Sequence, residues 1–132
     1  MQITRQADYA IRDVRYLSKQ GANQRAATST VAHEMKIPPS FMAKIISQLS
    51  IAGLLHTSRG ARGGVTLARD PKEISLLDVV EAIDGPILLN ECVGDPGKCQ
   101  FTDDCAMHPI WVEAQDMLVK LLRTTTFATL KK

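Results

Sequence analysis

The chain lacks a long apolar run, an internal repeat and a low-complexity segment. Its first thirteen residues, MQITRQADYAIRD, carry charge from the fifth position and lack the apolar core of a signal peptide. No stretch approaches the roughly 20 apolar residues that a membrane-spanning helix needs. We therefore expect a cytoplasmic protein that makes no membrane contact. Its 132 residues, 45% of them hydrophobic, suit one domain with a modest core.

Cysteine is scarce, and its pattern excludes several kinds of site. The three cysteines and one histidine follow the spacing Cys92-x6-Cys99-x5-Cys105-x2-His108. A reducing compartment disfavours disulfides, and an odd number of cysteines would leave one unpaired. The CxxC pair of structural zinc sites is missing. So are glycine-rich phosphate loops and catalytic motifs, which predicts a protein that is not an enzyme and has no small-molecule substrate.

Positive and negative charges are unevenly distributed along the chain. Residues 1–72 contain eleven Lys and Arg against four acids, a net charge of +7. Residues 73–132 contain five Lys and Arg against ten acids, a net charge of −5. This asymmetry indicates a basic half that faces a polyanion such as nucleic acid. The alternative is a solvated surface on which charge is unevenly spread.

The basic half has the pattern of three helices. Apolar residues recur at helical spacing over residues 2–19, and Thr28 or Ser29 can cap a short second helix. The turn KIPPS places Pro39 in the first turn of a third helix, which Gly53 can terminate. Two short helices joined by a tight turn predict a helix-turn-helix.

A basic β-hairpin is predicted after the third helix. Residues 54–58 and 65–68 are short β-compatible runs, and the intervening segment RGARGG contains Arg59 and Arg62. A helix-turn-helix followed by such a hairpin is the order of a winged helix. We therefore predict a mostly α fold with a small β-hairpin, in which residues 1–85 form a winged helix-turn-helix DNA-binding domain.

The acidic half continues with a helix, a cysteine-containing loop and a second helix. Ser75 and Asp78 form a capping box, whereas residues 86–106 show no periodicity. A strong apolar stripe then runs over residues 110–122. We predict that residues 107–132 form a long dimerisation helix with a tail, because proteins that bind palindromic DNA are commonly dimers. Packing of this helix within the monomer is the alternative.

The N-terminal residues of a recognition helix enter the major groove of DNA. Ser40 can hydrogen-bond to base edges, Phe41 can touch a thymine methyl group, and Lys44 can reach guanine or phosphate. The alternative to a DNA-contacting role for Phe41 is that its side chain belongs to the hydrophobic core. The hairpin arginines can enter a minor groove. The candidate DNA-binding residues are Thr28, Pro39, Ser40, Phe41, Lys44, Arg59 and Arg62.

The cysteine pattern favours an iron–sulfur cluster over a zinc ion or three plain thiols. Thiolates suit both kinds of metal centre, and a neutral imidazole can complete a set of four ligands. The wide spacing, in a loop that contains glycine and proline, suits an iron–sulfur cluster, because a cluster is larger than a single zinc ion. Cys105 precedes the final helix, whose dipole favours a thiolate, although Asp103 and Asp104 oppose that effect.

The sequence resembles the IscR/NsrR-type family of winged-helix transcription regulators. The similarity lies in the stretches MQITRQADYAIR, IPPSFMAKIISQLSIAGLL, SRGARGGVTLARDPKEISLLDVVEAIDGP and CVGDPGKCQFTDDCAMHPIW, which cover nearly the whole chain. The resemblance implies that Cys92, Cys99 and Cys105 hold an iron–sulfur cluster whose state changes the affinity for DNA. The first gap between cysteines departs from the family, because it has six residues where five is more usual.

The resemblance offers two candidates for the fourth ligand. His108 matches the histidine of family members that regulate iron–sulfur assembly, which implies a [2Fe–2S] cluster. Asp8 matches the aspartate that nitric-oxide-sensing relatives supply from the partner subunit, which implies a [4Fe–4S] cluster. We favour His108 and [2Fe–2S], because CAMHPIW follows the histidine-bearing branch. Asp8 is then a surface acid near Arg12.

We therefore expect a homodimeric regulator, acting as a repressor, that binds double-stranded operator DNA. It is expected to sense iron–sulfur, redox or nitric-oxide status through its metal-binding loop. One alternative is a cluster-free winged-helix regulator controlled by a protein partner or by thiol oxidation. Another is a zinc-binding variant. A small electron-transfer or cluster-carrier protein would have no use for the basic half.

Overall fold

The computed structural model describes residues 2–21, 24–60 and 63–130. Within these ranges the helices are α1 (Arg5–Gln20), α2 (Thr28–Met35), α3 (Pro39–Ile51), α4 (Leu76–Asp84), α5 (Glu91–Gly94) and α6 (His108–Thr124). The strands are β1 (Leu55–Ser58) and β2 (Gly64–Leu67). Single turns of 3-10 helix occupy Pro71–Glu73, Pro96–Lys98 and Thr102–Asp104.

Helix α1 lies at the centre of the core, where it contacts α2, α3, α4 and β2. It begins after Thr4, whose hydroxyl accepts a hydrogen bond of 3.1 Å from the N–H of Ala7. It ends at Gly21, whose φ of 100° favours glycine. The apolar residues predicted for one helical face include four that are buried: Ala7, Ala10, Val14 and Leu17.

Helices α2 and α3 form the predicted helix-turn-helix. Pro39 is the first residue of α3, as predicted, and Lys36 ends α2 in the left-handed conformation with φ of 56°. The predicted cap of α2 is wrong. The N-cap position belongs to Ala27, whose backbone is extended, so that Thr28 and Ser29 already lie inside the helix.

The two strands form the predicted hairpin, with β1 and β2 antiparallel and Leu55 opposite Leu67. A further bridge joins the wing to the segment before α2, where Ala26 and Val65 exchange N–H···O bonds of 3.0 and 2.8 Å. Gly64 makes this approach feasible. Its φ is 151°, and a Cβ atom there would lie 2.3 Å from the carbonyl oxygen of Ala26.

The C-terminal segment folds back onto α4. The predicted capping box is present, because Ser75 N–H donates to the Asp78 carboxylate at 2.9 Å and Asp78 N–H donates to the Ser75 hydroxyl at 3.1 Å. Beyond α6, Phe127 N–H donates to the Ile74 carbonyl at 3.0 Å. The Phe127 side chain is buried in the same core as α1 and α3. The tail is therefore part of the core.

Helix α6 is long, with 17 residues and a length of roughly 25 Å. One of its faces packs on α4 through Leu118, Val119 and Leu122. The elements together form a mostly helical winged helix with a two-stranded wing and a long C-terminal helix, which confirms the predicted fold class. None of the helices in the described ranges has the combination of length and apolarity that crossing a bilayer requires.

Candidate functional site

The outer face of α3 presents polar side chains. Ser40 and Lys44 are exposed, as expected for the N-terminal part of a recognition helix. Ser47 is exposed on the same face and was missed from the sequence. The signal that could have found it is the spacing of 40, 44 and 47, which places three polar residues on one side of a helix.

Phe41 lies at the edge of this surface rather than inside the core. Its side chain is 37% exposed. Its ring meets the ring of Tyr9 edge-on, with the centroids 5.4 Å apart and an interplanar angle of 64°. Helix α1 thus holds a half-exposed aromatic side chain of α3 in place.

The remaining candidate DNA-binding residues belong to the first positions of α2 and α3 and to the hairpin loop. Thr28 is half-buried at the first position of α2, and Pro39 is exposed at the first position of α3. Arg59 is exposed directly after β1. Arg62 lies outside the described residues. Helix α3 contacts both α2 and β1, and Arg59 lies at the loop end of the hairpin, directly after the last residue of β1.

A chain of contacts connects the start of α1 with the helix-turn-helix. The guanidinium of Arg12 forms an ion pair of 2.9 Å with the carboxylate of Asp8. It also lies 5.4 Å from the centre of the Tyr9 ring and donates a hydrogen bond of 3.4 Å to the carbonyl of Met35. Because Tyr9 contacts Phe41, Asp8 is connected with the end of α2 and with the recognition helix.

The cysteines lie in the segment between α4 and α6. Cys92 is 7% exposed within α5, whereas Cys99 and Cys105 are half-buried, and all three are free thiols. His108 begins α6, and its N–H donates to the carbonyl of Cys105 at 3.3 Å. The Nδ1 atom of His108 is buried and has no hydrogen-bond partner in the described part of the chain.

The four predicted ligands do not form a ready-made metal site. Within the residues that the structure describes, no group of three His, Cys, Asp or Glu side chains could hold a metal ion. Asp8, the alternative ligand, is engaged with Arg12. As donors the three thiols and the imidazole fit an iron–sulfur cluster, but their side chains would have to converge to bind one.

The cysteine segment is held mainly by local hydrogen bonds. The backbone and side-chain hydrogen bonds that the structure gives within residues 90–108 join positions no more than six apart. The segment begins next to Leu89, whose N–H donates to the Gln115 side chain of α6 at 2.9 Å. Helix α5, which contains the buried Cys92, also contacts α6. Local opening of a segment held by local hydrogen bonds is less costly than opening the core.

Asp13 is one of the four acids in residues 1–72, and sequence reasoning assigned it no structural or functional role. It is fully buried on the core face of α1, and neither carboxylate oxygen has a hydrogen-bond partner among the described residues. Burial raises the pKa of this carboxyl from 3.8 to about 7. Its place in the apolar stripe, between Ala10 and Val14, is the signal that could have identified it.

Comparison with known proteins gives the family. A family model described as "Rrf2: Iron-dependent Transcriptional regulator" matches residues 3–132. The chain is 31% identical to Protein aau3 of Rhizobium meliloti over 134 aligned residues, covering 100% of this chain and 86% of that protein. It is 28% identical to the HTH-type transcriptional regulator NsrR of Shouchella clausii over 127 residues, covering 96% of this chain and 85% of that protein.

A solved structure supports the fold. The global cysteine regulator CymR (YrzC) of B. subtilis superposes with a TM-score of 0.78 at 24% identity, over 97% of this chain and 94% of that chain. The family model and the similarity to NsrR confirm the resemblance to IscR/NsrR-type regulators. This chain belongs to the Rrf2 family of iron-dependent transcriptional regulators.

Proposed function

We propose that this protein is a homodimeric transcriptional repressor that binds operator DNA and senses iron–sulfur, redox or nitric-oxide status. One observation carries the proposal. All three free cysteines lie in a locally held segment outside a basic winged helix, in a family described as iron-dependent. Residues 1–85 then bind DNA, residues 86–106 hold the cluster and residues 107–132 form the dimer.

DNA binding is assigned to the surface around α3. Ser40 and Lys44 would contact base edges or phosphates in the major groove, and Phe41 a thymine methyl group. Thr28 and Pro39 flank these residues at the helix starts. Arg59 and Arg62 on the wing would enter a minor groove. The net charge of +7 on residues 1–72 supports this assignment, because phosphate contacts dominate affinity for DNA.

Dimerisation is assigned to the uncovered face of α6. Met117 is 67% exposed and Leu121 is 62% exposed, and Ile110 and Trp111 are also exposed. A neighbouring face of α6, with Leu118, Val119 and Leu122, already packs on α4. Exposed apolar side chains that share one helix face are typical of a protein interface. A second copy related by a two-fold axis would present the same face.

Cluster binding is assigned to Cys92, Cys99, Cys105 and His108, with the partner subunit's Asp8 as the alternative fourth ligand. The unpartnered Nδ1 of His108 supports the first set, because a buried ring nitrogen normally has a partner. His108 also lies one turn from Cys105. When bound, an iron–sulfur cluster supplies a centre that reacts with oxidants and nitric oxide. The resemblance of His108 to the histidine of family members that regulate iron–sulfur assembly favours [2Fe–2S] over [4Fe–4S].

Anaerobic purification tests this assignment. The visible spectrum and the iron and sulfide content are measured for the parent protein and for the variants Cys99→Ala, His108→Ala and Asp8→Ala. We expect loss of the chromophore with Cys99→Ala and His108→Ala and its retention with Asp8→Ala. Affinity for DNA selected from a random duplex library is then expected to differ between the loaded and iron-free protein. A colourless, iron-free parent whose DNA binding is unchanged by Cys92→Ala contradicts the sensing function.

The dispersed ligands favour a second candidate, a cluster-free regulator controlled by oxidation of its thiols. The observation behind it is that three free cysteines, two of them half-exposed, do not meet around a metal within the described residues. Treatment of the iron-free protein with peroxide would then change its DNA affinity, and the change would be reversed by a dithiol and be absent in Cys99→Ala. Zinc in the metal analysis would instead indicate the zinc-binding variant.

A further inference from the structure

An apolar groove opens between α2 and the start of α3, with a volume of about 660 Å³. It is formed by the turn between the two helices and by the flank of α3 beside the outer polar face. Its apolar lining consists of Ala32, Ile37, Pro38, Pro39, Met42 and Ala43. Pro39 and Ala43 are exposed, whereas Ala32, Ile37 and Met42 are buried, so the groove is accessible from the surface through Pro39 and Ala43.

The groove is continuous with the proposed DNA-binding surface. The polar side chains of the lining come from α2 and from the residue that ends it: Thr28, Ser29, His33 and Lys36. Ala43 lies three residues after Ser40 and directly before Lys44, both exposed on the outer face of α3. An occupant must therefore suit an apolar lining inside a positively charged surface, and the duplex that this surface would bind is a polyanion.

The chemistry of the DNA major groove indicates which group of a duplex the apolar groove of the protein can bind. Base edges present hydrogen-bond donors and acceptors in the major groove, and the C5 methyl group of thymine is the apolar exception. The apolar side chains of Pro39 and Ala43, which are the exposed apolar part of the lining, offer no partner to a donor or acceptor, which would lose its water there without replacement. A thymine methyl group forms no hydrogen bond with water, so the same contact costs it none, and its transfer from water to an apolar surface is favourable in free energy.

We infer that this groove receives thymine methyl groups of a DNA duplex, so that the protein selects A·T pairs opposite the start of α3. The inference rests on the DNA-binding function proposed above. Ala43 and Pro39 are then specificity-determining residues, alongside the polar residues of the outer face.

The test compares thymine with deoxyuridine, which lacks only the methyl group. A duplex is selected by the full-length protein from a random library and then synthesised with either base at its selected A·T pairs. We expect about fourfold weaker binding for each contacted methyl group removed. Equal affinity for both duplexes overturns the inference and leaves DNA binding intact. Failure to select any duplex overturns the proposed function as well.

Two variants locate the contact. Ala43→Asn places an amide in the groove and is expected to abolish discrimination between thymine and deoxyuridine. Ala52→Asn makes the same change at an exposed position beyond the far end of α3 and is expected to retain it. If the Ala43→Asn variant still binds the thymine duplex more tightly than the deoxyuridine duplex, the methyl groups are contacted by another part of the protein, and the proposed role of the groove is overturned. An apolar small molecule found in the native protein and displaced by DNA overturns it too.

Discussion

The ring of Tyr9 on α1 meets the ring of Phe41 on α3 edge-on, at a centroid distance of 5.4 Å. The guanidinium of Arg12 lies over the same Tyr9 ring and pairs with Asp8. Tyr9 therefore connects the first turns of α1 with the recognition helix, as does Gln6, whose side-chain amide donates a hydrogen bond to the Gln48 side chain of α3. Removal of the Tyr9 side chain should affect DNA binding although Tyr9 is not among the proposed DNA contacts.

Tyr9→Leu keeps an apolar side chain but removes the aromatic contact. We expect a loss of about 1 kcal/mol in unfolding free energy, and weaker DNA binding because Phe41 is no longer held. The change removes no charge, so the dependence of binding on salt should keep its slope. Urea unfolding and fluorescence anisotropy at several salt concentrations measure the two effects. Unchanged DNA affinity in the folded variant would exclude the coupling role.

Lys44→Met, unlike Tyr9→Leu, should change the salt dependence of DNA binding, because it removes a positive charge from the outer face of α3. We expect weaker binding and a decrease of about 1 in the slope of log K against log salt concentration. The matched control is Lys120→Met, which removes an exposed lysine from α6. An equal decrease of the slope in both variants would show that net charge, rather than a contact at Lys44, determines the effect.

Gly64→Ala should disrupt the wing. The added Cβ would lie 2.3 Å from the Ala26 carbonyl oxygen, at a φ of 151°. We expect a destabilisation of about 2 kcal/mol or more and weaker DNA binding. The control is Gly53→Ala, which has a positive φ of 77° but open space around the new atom, and should cost about 1 kcal/mol. Equal unfolding free energies for the two variants would contradict the close approach.

Asp13 predicts a pH dependence of stability. Its pKa is raised from 3.8 to about 7 in the folded protein, so the native state retains a proton that the unfolded chain releases. The free energy of unfolding should therefore fall as pH rises from about 4 to 7 and level off above that range. The shift corresponds to a loss of roughly 4 kcal/mol.

Asp13→Asn tests this dependence, because the amide does not titrate. Urea unfolding between pH 4 and 8 should give a flatter profile for the variant than for the parent. Asp103→Asn, an exposed acid in the cysteine segment, serves as the control and should follow the parent. Parallel profiles for the parent and Asp13→Asn would show that this carboxyl does not titrate in the range.

Leu121→Asp tests the dimer. The side chain is 62% exposed in one subunit, so the monomer should stay folded while the proposed interface acquires a buried, unpaired charge. We expect a monomer in sedimentation velocity and weaker binding to palindromic DNA. Lys120→Asp, at the neighbouring exposed position of α6, should remain dimeric. A dimeric Leu121→Asp variant would contradict the assignment to this face.

Much of the fold was predictable because its signals are local. The capping box of Ser75 and Asp78 and the position of Pro39 depend on residues within one turn of each other. The hairpin followed from short β-compatible runs around RGARGG. The cap of α2 failed as a prediction because several adjacent residues could start that helix, and the backbone at Ala27 decided between them.

The sequence by itself determined the order of α1 to α4, the hairpin and α6, the family and the residue types of the candidate site, whereas α5, within the predicted loop of residues 86–106, had no sequence signal. Tertiary structure alone decided which of those residues meet. It brought Tyr9 to Phe41 and Phe127 to Ile74, and within the described residues it did not assemble the cysteines and His108 into a group that could hold a metal ion. Spacing along the chain specifies which face of a helix a residue occupies, whereas the packing of one helix on another determines what that face contacts.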